Sequence, residues 1–274
     1  MGVRFDDAGP DVKTPTIYRE PRVYLIGKPL IDEFGLDAFL ADQNVQNWET
    51  DTDIAGEQLA EIAGRLCYMS YSKPRPGGNA EYLHHIIEVG HGSVLEHACF
   101  NFIITQVSRS FTHELVRHRL ASYSQLSQRY VDERDCAFIM PEEIAADAEL
   151  EDSFRHYVRE ARDTYQYWSD VLTQNVKNKY PRLSATDQRK IARQTARACL
   201  PNCTETKIFV SMNARALRHF FVMRGSLAAD AEMRRVALMV FSILKVEAPA
   251  LFEDFEVRTD PEGRQYLHTQ FVKV

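Results

Sequence analysis

Apolar positions recur at helical steps over much of the chain. Between residues 53 and 66, Ile54, Leu59, Ile62, Ala63 and Leu66 repeat in this way, and between 80 and 89 Tyr82, Leu83, Ile86 and Ile87 do so before Gly90. Each stretch predicts an amphipathic helix. A longer stripe of Phe154, Tyr157, Val158, Ala161, Tyr165, Trp168 and Leu172 predicts a helix over 150–178, its apolar face serving as core or subunit contact. Further helices are expected over 185–199, ending before Pro201, from Asn213 as cap to Arg224, and over 229–246 with Met233, Val236, Val240, Phe241 and Leu244 inward. Two stretches carry β-branched and aromatic residues instead: ACFNFIITQV (98–107) puts Phe100, Phe102 and Ile104 on one side, and TETKIFVSM (204–212) alternates Ile208 and Val210 with polar neighbours. Both predict strands. Ser108 or Ser110 can cap a helix through FTHELVRHRL (111–120), whereas ASYSQLSQRY (121–130) is too rich in Ser and Gln for a core and reads as a shaped loop. Asp260-Pro261-Glu262-Gly263 marks a turn between two short extended pieces. The set predicts an α+β fold, helix-rich, around an antiparallel sheet.

With 274 residues, 45% apolar and 26% charged, the chain can bury a full core. No Gly/Ser/Pro-rich linker or repeat divides it, so one intertwined domain over 1–274 is expected. The longest strongly apolar run, Val236 to Val246, is too short to cross a bilayer, and MGVRFDDAGPD lacks the apolar stretch of a secretion signal. Gly2 is not read as a myristoylation site, because Asp6 stands where Ser or Thr is needed. Five cysteines, Cys67, Cys99, Cys136, Cys199 and Cys203, fit a reducing compartment better than a disulfide framework. A cytoplasmic chain without a membrane anchor is the expectation. Cys199 and Cys203, four apart, could hold a metal but read instead as buried thiols on a helix end. His84, His85, His91 and His97 match no ligand spacing, so no metal is expected, and Glu96-His97 reads as a hydrogen-bonded pair.

Net charge is −6, yet arginines cluster between Arg109 and Arg129 and between Arg193 and Arg235. That contrast favours small anions held in a pocket over a long polyanion. Lys190, Arg193 and Arg197 share one helical stripe, either a solvated face or a phosphate grip. Arg117, His118 and Arg119 are expected on a helix, where successive side chains fan out by about 100° and suit a ligand wrapping the helix end. Arginine's planar fork binds phosphate in a bidentate manner and stacks on flat rings. Neither G-x-G-x-x-G nor G-x-x-x-x-G-K-[ST] occurs, so a dinucleotide would be held without a Rossmann loop. No G-x-S-x-G frames Ser127, and no cysteine follows a proline, so neither a serine nor a Pro-Cys nucleophile is indicated.

The segment RHRLASYSQLSQRY (117–130) resembles the RHR-x7-S signature of flavin-dependent thymidylate synthases. The resemblance extends upstream through GRLCYMSYSKP and HGSVLEHACF and downstream through ARQTARACLPNCTET and NARALRHFFVMRG, about 55–250 in all, leaving 1–50 as a variable part. It implies reductive methylation of dUMP to dTMP, with methylenetetrahydrofolate as one-carbon donor and NADPH-reduced FAD as hydride source, in a homotetramer with shared sites. Carried over by position, FAD would meet Ser93, Arg117, His118, Arg119, Gln125, Asn213, Arg215 and His219. The substrate dUMP would meet Glu114, Leu115, Val116 and Arg117, then Gln125, Leu126, Ser127, Gln128 and Arg129, with Arg197. Arg224 would contact the uracil and favour ionisation at N3, the catalytic role. Position 125 is Gln where some members have Glu, position 114 is Glu where some have Gln, and Ala228 stands where many have His. The rival readings are an NADPH-dependent flavoprotein reductase without a nucleotide substrate and a nucleic-acid-binding module; the acidic charge and the lack of a nucleic-acid motif weigh against the second.

Overall fold

The computed structural model describes residues 14–73 and 75–274; the readings on Gly2, Asp6 and the first stretch of the chain lie outside them. In chain order the elements are β1 (Ile17–Tyr18), β2 (Arg22–Gly27), α1 (Glu33–Asp42), α2 (Ala55–Tyr68), α3 (Gly78–Glu88), β3 (Cys99–Ser108), α4 (Arg109–Leu115), β4 (Ala121–Gln125), β5 (Phe138–Ile139), α5 (Glu142–Ala145), α6 (Ala148–Lys179), α7 (Ala185–Ala196), β6 (Glu205–Asn213), α8 (Ala214–Arg224), α9 (Ala231–Glu247), β7 (Glu256–Thr259) and β8 (Gln265–His268). Short 3-10 turns cover Gly92–His97, Arg197–Cys199 and Pro249–Leu251. The expected mixture of helix and antiparallel sheet is present. No helix is long and apolar enough to cross a membrane among the described residues.

The described residues divide into two compact units, one of 14–20, 106–110 and 126–206, the other of 21–73, 75–105, 111–125 and 207–274. In the second, a four-stranded sheet runs in the order β2-β3-β6-β4, with β2 antiparallel to β3 and β4 antiparallel to β6. Phe100, Phe102 and Ile104 point to the core as their alternation requires, and Ile208, Val210 and Met212 do so from β6. Phe221 of α8 anchors this unit, its ring edge-on to Phe241, Phe252 and Phe255 at 5.6–5.7 Å. Arg218 on the same helix forms a bidentate pair with Asp254, at 2.6 and 2.7 Å, and both side chains are buried. Arg65 of α2 is likewise buried, bonded to Glu61 and to the carbonyls of Ser70 and Lys73.

The first unit is built on α6, capped by Asp147, and α7, capped by Ser184. Cys136, Phe138, Met140, Phe154 and Val158 form its core with Ile17, Leu200 and Cys203 against them. The apolar stripe of α6 divides: Phe154, Val158, Ala161 and Tyr165 are buried, but Tyr157 and Trp168 stand exposed at 51% and 39%.

Two expectations are corrected. The helix at 111–120 stops at Leu115, so Arg117, His118 and Arg119 lie in the turn beyond it. The amides of Arg117 and His118 reach back only three residues, to Glu114 and Leu115, which tightens the last turn, and the Tyr123 hydroxyl shares its one proton between the carbonyls of Leu115 and His118, at 2.8 and 2.7 Å. Residues 121–125, expected in a loop, form β4, with Ser122 and Ser124 exposed and Tyr123 turned inward. The period of two was there, but serines on one side and a tyrosine on the other concealed it.

Candidate functional site

In the second unit, α8 and the turn after α4 enclose a cavity of about 320 Å³ lined by Arg117, His118, Arg119, Leu120, Ala216, His219, Met223 and Arg224. Asn213 accepts from the Ala216 amide at 2.8 Å, the expected cap, and so fixes where α8 starts. Arg224 lies at the far end of that helix, where a cation is favoured by the helix dipole. Its Nε donates to His118 Nε2 at 3.0 Å and its Nη1 to Glu114 Oε2 at 2.6 Å. With Nε2 accepting, the His118 proton sits on Nδ1. Burial first, then the charges of Arg224 and His219, pull His118 down to a pKa of about 4. Burial and the Asp230 carboxylate push Glu114 above the usual range, against the opposing pull of Arg224. The His118 ring also meets His219 and Phe220 edge-on, at 5.9 and 5.4 Å.

The guanidinium groups of Arg117 and Arg119 make no hydrogen bond or ion pair among the described residues. Both arginines are exposed on the turn. Two unneutralised forks and two imidazoles around one cavity form a donor set suited to phosphate and to a flat heteroaromatic ring, which is what a flavin dinucleotide presents. Arg215, by contrast, is committed: it donates to Glu96 and to the carbonyl of Val274. Glu96 thus turns to Arg215 and not to His97 as expected. Ser93 is exposed on the 3-10 turn, and Gln125 donates to Thr112 Oγ1 at 3.0 Å. Leu115 is buried and its carbonyl is taken by Tyr123, so its side chain belongs to the core; Val116 is exposed.

In the first unit, Ser127 Oγ accepts from the Arg129 amide at 3.4 Å, and Gln128 is buried. The Arg129 Nε is buried without a partner, and the Arg197 guanidinium makes no hydrogen bond or ion pair among the described residues. Burial and the neighbouring Arg197 pull Arg109 below the usual arginine range, against Glu133. The stripe on α7 splits in purpose. Arg193 donates to the Tyr130 carbonyl at 2.6 Å and to Asp132 at 2.9 Å, and Lys190 lies over the Tyr130 ring at 5.0 Å, so these two hold the segment after Ser127. Cys199 donates to the Ala196 carbonyl at a helix end, as expected, but both it and Cys203 are half-buried rather than buried, and Cys203 lies past the turn. Sequence reasoning gave Glu96 the wrong partner and missed Thr112, Tyr123 and Asp230, whose roles follow from what they touch; no local pattern marks these three.

Residues 50–250 match the family model described as thymidylate synthase complementing protein (Thy1). Among curated relatives, a flavin-dependent thymidylate synthase of Mycobacterium sp. (strain JLS) is 50% identical over 228 residues, 82% of this chain and 89% of that one. Another bearing the same description, from Mycobacterium tuberculosis (strain ATCC 25618 / H37Rv), is 50% identical over 230 residues, 83% of this chain and 90% of its own. Among solved structures, a UMP/dUMP methylase of Streptomyces cacaoi, PolB, bound with 5-Br UMP, superposes with a TM-score of 0.64 at 18% identity, covering 88% of this chain and 96% of that one. At that identity the likeness is one of fold.

Proposed function

Because the chain belongs to the flavin-dependent thymidylate synthase family, we propose that it methylates dUMP to dTMP with FAD as its flavin and with methylenetetrahydrofolate and NADPH as co-substrates. One observation carries the reading: Arg117 and Arg119 offer unpaired guanidinium groups to the same cavity that Arg224 lines. When bound, FAD supplies the hydride that completes the methyl group. The chain's own residues bind, orient and stabilise charge. Arg117, His118, Arg119 and His219 hold the flavin, with Ser93, Gln125 and Arg215 beside them; Asn213 spends its carbonyl oxygen on the α8 cap and keeps only its amide nitrogen for a ligand. Ser127, Gln128, Arg129 and Arg197 take the dUMP phosphate, supported by the orphaned Arg129 Nε and the unpaired Arg197. Arg224, with its Nη2 left over after Glu114 and His118, faces the edge of uracil at N3 and stabilises the charge that makes C5 nucleophilic.

The full chain 1–274 then acts as one functional domain in a cytoplasmic homotetramer. The test is product formation from dUMP with FAD, methylenetetrahydrofolate and NADPH, each omitted in turn. Formation of dTMP only in the complete mixture is expected; NADPH oxidation without any dTMP would favour a plain reductase. Arg117→Ala is expected to weaken FAD retention while leaving the urea midpoint close to that of the parent, because its side chain is exposed.

A further inference from the structure

The segment Phe271–Val274 closes a second cavity on α8, of about 340 Å³, that is also lined by Gly90, Arg215, His219 and Val222. His219 lines both cavities, so the two flank a single residue of α8. The segment is tied down at both ends. The Phe271 amide donates to Thr269 Oγ1 at 3.0 Å and its ring meets His84 edge-on at 5.9 Å, while the Val274 carbonyl accepts from Arg215 Nε at 3.0 Å. Arg215 is therefore gripped along two edges, since its Nη1 donates to Glu96 at 2.6 Å.

This close approach depends on residue 92. A Cβ on Gly92 would lie 2.3 Å from the Val274 carbonyl carbon, 2.9 Å from its oxygen and 3.1 Å from Arg215 Nε. Gly92 is not among the residues with positive φ, so its backbone does not call for glycine. What the missing side chain supplies is room for the segment.

We propose that Phe271–Val274 is a positioning strap for flavin binding, which reaches over Gly92 and fixes the Arg215 guanidinium so that its Nη2 edge meets FAD in the second cavity. The proposal rests on the assignment of Arg215 to FAD. An arginine held at Nε and Nη1 has lost most of its rotamer freedom already, so less is lost when it grips an acceptor.

FAD affinity, read by quenching of flavin fluorescence, tests this on the full chain, on Gly92→Ala and on a variant lacking residues 271–274. Each variant is expected to bind FAD about tenfold more weakly, the worth of one well-placed hydrogen bond to a charged group, with an unchanged urea midpoint. In an Arg215→Ala background, the deletion is expected to add less than about twofold, because strap and arginine act as a unit. Unchanged or tighter FAD binding in both variants would overturn the proposal, as would a deletion effect that persists in full without Arg215. If the deletion unfolds the chain, Gly92→Ala decides. Should the parent chain take up no FAD at all, the cofactor assignment itself fails and the strap falls with it; parental FAD binding with silent variants fells the strap alone.

Discussion

Arg224 is tied by Glu114 and His118, partners more than a hundred positions away, as the separations of 110 and 106 record. Lysine in its place keeps the charge but not the fork that bridges both partners. Arg224→Lys and Arg224→Ala are expected to lower dTMP formation by roughly 10²-fold or more while FAD stays bound, the scale of losing one charge-stabilising donor; steady-state product assays beside the flavin spectrum check this. His118 gives a pH prediction. Its folded pKa, about 4, lies below the ordinary 6.5, so the folded state binds fewer protons than the unfolded one. Stability from this residue is present above pH 6.5 and is lost as pH falls from 6.5 towards 4. The urea midpoint should drop over that window, and in His118→Asn the drop should be shallower. Among single residues, Arg117, His118 and Arg119 stood out because they stand in a fixed motif, and Arg224 because it lies in a downstream stretch that resembles the same family. The true partner of Glu96 and the roles of Thr112 and Asp230 did not, since a carboxylate or hydroxyl becomes part of a site only through partners that folding brings near.

The short α4 shows how one hydroxyl sets the geometry of an element. Tyr123 sits on β4 and caps the carbonyls left over at the end of α4, and burial pushes its pKa up to about 12. Tyr123→Phe removes only that oxygen. A loss of about 1 kcal/mol in stability is expected from urea unfolding, together with weaker FAD retention, because the turn carrying Arg117 to Arg119 is no longer pinned. Helices over 55–68, 78–88, 148–179, 185–196, 214–224 and 231–247 were legible in the sequence, since a period of 3.6 with a polar opposite face has one structural outcome. The end of α4 was not, because Val116 and the basic run continue a pattern that Tyr123 interrupts from another strand. β2 and α1 escaped notice for a different reason: β2 alternates half-buried and exposed positions, and α1 buries Leu40 alone. Weak burial leaves weak periodicity.

At the scale of the whole molecule, α6 leaves Tyr157, Tyr167, Trp168 and Val171 exposed along a helix of 32 residues, and Leu30 and Phe34 are exposed at 87% and 89%. Large apolar side chains exposed along one helix, as on α6, are a usual mark of subunit contact. Light scattering is expected to give a mass near four times 31.5 kDa, and an active species at the monomer mass would contradict the shared-site reading. The buried pair between Arg218 and Asp254 has a consequence of another kind, in time. Its side chains are 3% and 2% exposed, so water reaches neither charge until α8 has begun to part from the segment after α9. Separating the pair early on the way out leaves two charges in a medium that solvates them poorly, and that cost belongs to the barrier. The folded molecule should therefore persist by slowness of escape as much as by equilibrium. Asp254→Asn is expected to raise the unfolding rate in stopped-flow urea jumps by more than it lowers the refolding rate, since contacts made late in folding act mainly on the way out.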